Sequence, residues 1–522
     1  MSKLLERRLR RLLGSGHTRL LGGGHKGLEK ESLRITAEGC IAQTPHPAAW
    51  GAPLTHPYIT TDYSEALPEF ITPAFTDLTE TVGFLEDIHR FLYRHLPEEE
   101  LLWASSMPCA VSDDGSIPIA RYGTSNSGRM KHIYRVGLDY RYGRRMQAIA
   151  GVHFNYSLPL EFWPVYLDGE GTAADLQPFI DDNYFALIRN FKRLGWMVPF
   201  LFGNSPAVCK SFLAGRTTRF KELMRGTYYL PHATSLRMSD IGYKNKNQAV
   251  LTVSYDTLAD YVASLQQALR TPYPEYEAIG LYDGDERIQL STNLLQIENE
   301  HYSFVRPKRT VEAGERATNA LRARGVEYVE VRALDVNTSS PIGVDLGQLQ
   351  FVEAFLIFCL LEESPPLTSA ELRSIEYNEL TVALRGRAPG LELIGNGGKR
   401  PIRAWSLEIC ERMYAICEAL DATESGTPYV AALKQQIDAI RHPDSLPSAR
   451  ILDALRTGQE QFHNFAMDLS TRYAADFRAR PPAAEVEDRF TRLAIDSHAE
   501  QARIEAADDK SLEDYITHYI TA

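Results

Sequence analysis

The sequence predicts an α+β protein. Three observations carry that reading: short alternating runs at irregular spacing between residues 27 and 345, helical stretches that interrupt them, and an almost wholly helical pattern from 346 onward. A regular βαβ series would space its strands more evenly. The chain has 522 residues, 44% of them hydrophobic, which is enough for a large core. No internal repeat or low-complexity linker divides it. The expected organisation is a helical segment over 1–26, an α+β core over 27–345, and a mainly helical region over 346–522 packed on that core.

Element by element, the N-terminal stretch MSKLLERRLRRLLG is arginine-rich and acid-poor. A transit peptide would share that composition. Leu4, Leu5, Leu9, Leu12 and Leu13, however, make one helical stripe, which favours a helix docked on the body. Strand period then sorts the alternating runs, because side chains two apart share a face. In GLEKESLRI (27–35), Glu29 and Glu31 fall with Leu33 and Ile35. In SEALPEFIT, Glu65, Leu67, Glu69 and Ile71 share a face, and Asp62 precedes them. The run TETVGFLEDIHRFLYRHL (79–96) has helical period.

TSNSGR (124–129) reads as a Ser/Gly-rich loop able to present N–H groups to an anion, or as an ordinary turn. GVHFNYSLP (151–159) alternates cleanly, with His153, Asn155 and Ser157 opposite Val152, Phe154, Tyr156 and Leu158. In LLQIENE (294–300), Gln296, Glu298 and Glu300 alternate with Leu295 and Ile297. In GVEYVEVRAL (325–334), Tyr328, Glu330 and Arg332 alternate with Val329, Val331 and Ala333. FVEAFLIFCLL (351–361) is too short to span a membrane and carries Glu353. Trp405, Ile409, Met413, Ile416 and Leu420 form a helical stripe, and 484–508 is a charged helix.

Net charge is −12, which argues against a general nucleic-acid binder, since neutralising phosphates needs a basic surface. Six scattered cysteines, with no CxxC, fit a reducing compartment in which most are small core residues. With no secretory signal, the cytoplasm is the expected location.

The chemistry lies in the polar strand faces. An antiparallel sheet with one wet side produces such alternation on its own. Here, though, carboxylates dominate, and adjacent like charges repel unless a cation relieves them. Hard oxygen ligands in that number suit Mg²⁺ or Mn²⁺. Separate basic clusters (Arg129, Lys131 and Arg135; Arg141, Arg144 and Arg145; Arg306, Lys308 and Arg309) are commonly solvated patches. Beside an acid-rich site they suggest clamps on phosphate oxygens. No Walker A, HExxH or GxSxG is present.

GLEKESLRI, LTHPYITTDYSEALPEFITP, YGTSNSGR, GVHFNYSLP, TSLRMSDIGY, LQIENE and VEYVEVRALDVN, followed by PIGV, occur in that order. Together they closely resemble the proteobacterial type of glutamate–cysteine ligase (γ-glutamylcysteine synthetase), the family that opens glutathione synthesis. The resemblance covers essentially the whole chain and weakens after about residue 365. It implies a glutamine-synthetase-like fold, a curved, mainly antiparallel sheet forming a funnel with helices outside. It also implies metal ions held at Glu29, Glu31, Asp62, Glu69, His153 and Glu330.

By the same resemblance, ATP is co-substrate, and Arg135 and Arg332 contact the phosphoryl group and transition state. Tyr63, Tyr134, Arg237, Tyr243 and Tyr302 match the cysteine pocket, and Gln147 and Asn155 hold the glutamate end. Substrates are then L-glutamate, L-cysteine and ATP, with glutathione a feedback inhibitor and a monomer the expected state. One departure is Pro68, where relatives carry an aliphatic residue; a proline inside a strand implies an edge or a bulge. A sister ligase using another amine, a metal-dependent hydrolase and a non-catalytic binder are the rival readings.

Overall fold

Six short strands hydrogen-bond side by side into one antiparallel sheet: β1 (His25–Glu31), β2 (Ile59–Thr61), β3 (Pro68–Ile71), β4 (Gly151–Ser157), β5 (Val305–Lys308) and β6 (Tyr328–Asp335). Their spatial order is β5-β6-β4-β1-β3-β2, and every neighbouring pair is antiparallel. The computed structural model describes residues 3–14, 16–213, 218–242, 251–312 and 314–521. Tyr243 lies outside the described residues.

The β4 alternation holds as the sequence predicts, and that of β6 holds as far as Val331, beyond which the register shifts. Val152, Phe154, Tyr156, Val329 and Val331 are buried on the reverse face of the sheet. Of the helices α1 (Lys3–Gly14), α2 (Leu78–His95), α3 (Asn126–Tyr142), α4 (Leu176–Leu194), α5 (Leu346–Leu361), α6 (Ile402–Asp421) and α7 (Pro428–Arg441), α2 and α4 pack on the sheet and the others belong to the surrounding layers. One hydrophobic cluster runs from Leu5 to Phe490. α5 is apolar on all sides and buried along its length, as a helix enclosed by others should be. Its Glu353 pairs with Lys26 of β1 at 2.9 Å. The N-terminal helix docks through Leu5, Leu9 and Leu12, while Leu13 faces solvent and Arg8 meets Glu170 at 3.0 Å. The Trp405 stripe is buried in α6.

Several expectations are corrected. LLQIENE is no strand: Glu298–Glu300 is a single 3-10 turn. Its acids are taken by arginines, Glu300 by Arg141 at 3.0 Å and Glu298 by Arg316 at 3.2 Å. GLEKESLRI is not one strand either. β1 ends at Glu31, and Arg34–Thr36 pairs instead with Glu100–Leu102 in a separate ribbon, sending Leu33 and Ile35 into the core. Glu65 precedes β3 in a turn, where its carboxylate accepts from the backbone N–H groups of His46 and Arg121 at 2.9 Å each.

Pro68 occupies neither an edge strand nor a bulge. It is the first residue of β3, the other position that spares a ladder bond, and its carbonyl accepts from Ser32 N. The cysteines are not all free thiols: Cys109 and Cys209 form a disulfide with Cα atoms 5.4 Å apart. Among the described residues, no helix is long and apolar enough to cross a membrane.

Candidate active site

Register gathers the polar side chains. Glu29 pairs with His153 and with Ile71, and Glu31 with Glu69. Asn155 pairs with both Gly27 and Glu330, and Glu330 with Arg306. Directly opposed residues point the same way, so these side chains share one face of the sheet. Between Val331 and Leu334, β6 takes one residue more than β4, a bulge centred on Arg332 and Ala333. Bulges turn side chains out of strict alternation. Here Arg332 reaches back to its own strand neighbour, Glu330, at 2.9 Å.

His153 is the hub of the site. Its Nδ1 lies 3.0 Å from Glu29 Oε2 and 3.7 Å from Glu330 Oε1, and its Nε2 lies 3.6 Å from Glu31 Oε1. That buried Nε2 has no hydrogen-bond partner among the described residues. Asn155 donates to Glu29 Oε1 at 2.9 Å, so the Glu29 carboxylate is held at both oxygens. Glu29, Glu69 and His153 each offer a ligand atom, all within 4.8 Å of one another. An imidazole and carboxylates in that space fit a hard divalent cation such as Mg²⁺ or Mn²⁺.

The electrostatics divide the acids into two groups. Burial and the nearby Asp62 carboxylate push Glu31 up to about 8, against Arg237, Arg332 and the Gly151 N–H. Glu69 is pushed well above the usual carboxylate range by burial, then by Glu29, Asp62 and Glu31. Burial also works against Glu330, but Arg332, Lys308 and Arg306 outweigh it and hold that carboxyl well down. Glu29 is likewise lowered against burial by its hydrogen bond to His153. Burial, followed by the charge of Arg332, lowers His153 and favours the neutral ring a ligand needs. One side of the face thus holds mutually repelling carboxylates, and the other holds cations around Glu330.

The remaining predicted residues surround this face. α3 begins at Asn126 with Ser125 as its cap, so TSNSGR is a helix start rather than a free anion loop. Two of its N–H groups are already taken, Thr124 N by Glu505 and Asn126 N by Asp508. α3 brings Arg135 to the carbonyl oxygens of Asp62 and Thr61 at the end of β2. Tyr122, not anticipated from the sequence, fixes the same corner: its hydroxyl donates to the Thr61 and Asp62 carbonyls, and its ring lies 4.6 Å under the Arg135 guanidinium.

Arg237, 2% exposed, donates to the Arg332 carbonyl at 3.0 Å and faces Asp335 at 3.9 Å. Gln147 donates to the Tyr302 hydroxyl at 3.5 Å. Tyr63 is buried with its hydroxyl unpartnered among the described residues. Tyr134 belongs to the α3 turn that carries Arg135. Arg141, Arg144 and Arg145 are structural instead, paired with Glu300, Asp139 and Asp114. Arg306 and Lys308, named above only as part of a basic patch, lie 3.8 and 3.7 Å from Glu330. Their two-residue spacing on a strand is the sequence signal for a shared face.

A mixed α+β fold with an acid, imidazole and guanidinium cluster on one sheet face defines an enzyme-like site for anionic substrates. A family model described as glutamate-cysteine ligase matches residues 9–382. Curated glutamate–cysteine ligases from Azotobacter vinelandii and Alcanivorax borkumensis are 49% and 46% identical, over 99% of this chain and 98% and 99% of theirs. A crystal structure of glutamate–cysteine ligase from Francisella tularensis in complex with AMP superposes with a TM-score of 0.90. It is 34% identical, with 96% of this chain and 98% of that one covered. The chain belongs to the glutamate–cysteine ligase family.

Proposed function

We propose that this chain joins the γ-carboxylate of L-glutamate to the amine of L-cysteine at the expense of ATP. Carboxylate and amine do not condense unaided. ATP therefore phosphorylates the γ-carboxylate, the cysteine amine attacks the resulting γ-glutamyl phosphate, and phosphate leaves. The products are γ-glutamylcysteine, ADP and phosphate, the first step of glutathione synthesis. The observation that carries this reading is the convergence of Glu29, Glu69 and His153 beside Arg332 in a chain so similar to these ligases over its full length.

In this reading Glu29, Glu31, Asp62, Glu69, His153 and Glu330 hold Mg²⁺, or Mn²⁺ in its place. The unpartnered His153 nitrogen and the mutual repulsion of Glu31 and Glu69 support that. The cation would supply positive charge against the phosphate oxygens. The protein's own contribution is positioning and fixed charge. Arg332, turned by the bulge and anchored on Glu330, meets negative charge on the transferring phosphoryl group. Arg135, tied to the Asp62 carbonyl, does so from the rim.

Arg237 receives the cysteine α-carboxylate, and Tyr63, Tyr134, Tyr243 and Tyr302 enclose the small thiol side chain. Gln147 and Asn155 orient glutamate. No covalent enzyme intermediate is required. A funnel-shaped curvature of the sheet, a monomeric state, a cytoplasmic location and feedback inhibition by glutathione belong to the same proposal.

The test is phosphate release from ATP and Mg²⁺ with L-glutamate alone and then with L-cysteine added. Release that needs both amino acids, with γ-glutamylcysteine found by mass, supports the ligase. Release without an acceptor makes it a hydrolase, and release only with another amine makes it a sister ligase.

A further inference from the structure

A concave site lies among the helices. It is a cavity of about 820 Å³ lined by Arg387, Arg403, Arg441, Arg456, His232 and Asp444, among others. The guanidinium groups come from separate elements. Arg387 follows the helix Ser369–Arg385, Arg403 opens α6, Arg441 ends α7, and Arg456 lies in the last turn of Pro447–Gly458. Four arginines face one cavity carboxylate in a chain whose net charge is −12. Elsewhere arginines can meet acids at close range, as Arg193 meets Glu371 and Arg324 meets Glu315, both at 2.7 Å. Of the four here, Arg441 has an ion pair, a loose one with Asp438 at 3.8 Å.

Two of the guanidiniums are positioned by uncharged groups. Arg387 donates to the Pro231 carbonyl at 2.9 Å and the Ala233 carbonyl at 3.3 Å, and Arg456 lies over the Tyr229 ring at 5.6 Å. These contacts aim the charge without neutralising it. The repulsion is felt within the cluster: burial and then Arg456 pull Arg387 down to about 10, and burial, then Arg387 and its neighbours, lower His232. The cavity falls within the ordinary size of small-ligand sites, about 300–1,000 Å³. Guanidinium groups match phosphate oxygens in paired hydrogen bonds.

We propose that this cavity binds a small polyanion bearing two or more phosphate groups, at a site separate from the carboxylate face of the sheet. A concavity closed by arginines from four elements suits a compact ligand. An extended nucleic-acid backbone would call for a basic stripe along the surface.

The probe is inorganic tripolyphosphate, titrated calorimetrically into the full chain in EDTA, so that no divalent cation can hold it at the sheet face. Expected is one binding event, weakened at least tenfold in Arg403→Gln/Arg456→Gln and tightened severalfold in Asp444→Asn. Ligase turnover should be unchanged in both variants, which also verifies that they fold. Absence of binding, or equal affinity in wild type and the arginine variant, overturns the proposal. So does tighter, arginine-dependent binding of a single-stranded oligonucleotide, which would assign the patch to nucleic acid.

Discussion

Lys26 Nζ lies 2.9 Å from Glu353 Oε1, both side chains fully buried, directly behind the strand that carries Glu29 and Glu31. Lys26 also donates to the Gly22 and Thr76 carbonyls at 2.8 Å each, and the Tyr429 hydroxyl donates to the other Glu353 oxygen at 2.7 Å. Two ammonium protons are thus placed on carbonyls and the charge lies against the Glu353 carboxylate, which is what makes a buried charge tolerable. The pair fixes β1 to α5 and α7, and so ties the helical layer to the candidate site. Removing one partner of such a pair costs about 3–5 kcal/mol, since the other charge stays buried. Glu353→Gln should lose that much in urea unfolding, and Lys26→Met/Glu353→Leu should recover part of it. A Glu353→Gln protein within about 1 kcal/mol of wild type would refute the pair's role.

Glu29 is gripped from two sides, by His153 at 3.0 Å and Asn155 at 2.9 Å. Glu29→Gln keeps the shape but removes the charge and reverses one hydrogen-bond role. Loss of a ligand should reduce turnover by more than the about 10–100-fold typical of outer-shell partners, with the unfolding midpoint close to wild type. Asn155→Ala should fall within that 10–100-fold range. Phosphate-release kinetics alongside thermal melts decide it. Near-normal turnover in Glu29→Gln would remove Glu29 from the ligand set.

Much of this face was legible from alternation, because β4 and β6 are long enough for period two to show. Elsewhere the signal failed for identifiable reasons. Glu298 and Glu300 looked like strand-face acids, but their partners, Arg316 and Arg141, are 18 and 159 residues away and invisible to a local pattern. The bend after Glu31 has no glycine or proline to announce it. The bulge that turns Arg332 depends on pairing with β4, and no single strand encodes it. Tyr122 could not be told from a core tyrosine, since its partners are backbone carbonyls.

His56 introduces a pH dependence. It is 5% exposed, and its Nδ1 accepts from the Tyr58 and Ile59 N–H groups at 3.1 and 2.9 Å, fixing the entry to β2. A proton on Nδ1 would meet two donors. Burial, followed by the charge of His498, depresses the ring to about 4. A depressed histidine stabilises the fold fully above its unfolded value, about 6.5, and loses that contribution as pH falls toward 4. At pH 5 the loss is about 2 kcal/mol. Urea unfolding at pH 7.5 and 5.0 should show this increment in wild type and not in His56→Asn, whose side-chain oxygen can replace Nδ1 as acceptor. Equal pH dependence in both proteins would exclude His56 as its source.

The Cys109–Cys209 disulfide closes a loop across a separation of 100 residues and leaves Cys40, Cys359, Cys410 and Cys417 free. Cys40 is exposed and the other three are buried. Thiol titration should therefore count one reactive group in the native protein, four after unfolding without reductant, and six after reduction. Six in unreduced, unfolded protein would mean that the bond does not form.

Gly151 offers a probe of Arg237 that leaves the arginine itself in place. Its N–H donates to Glu31 Oε2 at 2.7 Å, and a Cβ at this position would overlap the Arg237 guanidinium. That guanidinium is fixed by the Arg332 carbonyl and Asp335, so it has little room to yield without losing its aim. If it receives the cysteine carboxylate, Gly151→Ala should act through that contact first. A hydrogen bond to a charged group contributes about 1.5–3 kcal/mol, so KM for cysteine should rise about 10–100-fold. KM for ATP should change far less if Arg332 serves the phosphoryl group as proposed, because its side chain is held by Glu330 at 2.9 Å rather than by Arg237. Steady-state kinetics in each substrate separate the two. Equal rises in both constants would mean that the methyl group disturbs the whole face, and an unchanged cysteine KM would take Arg237 out of the cysteine pocket.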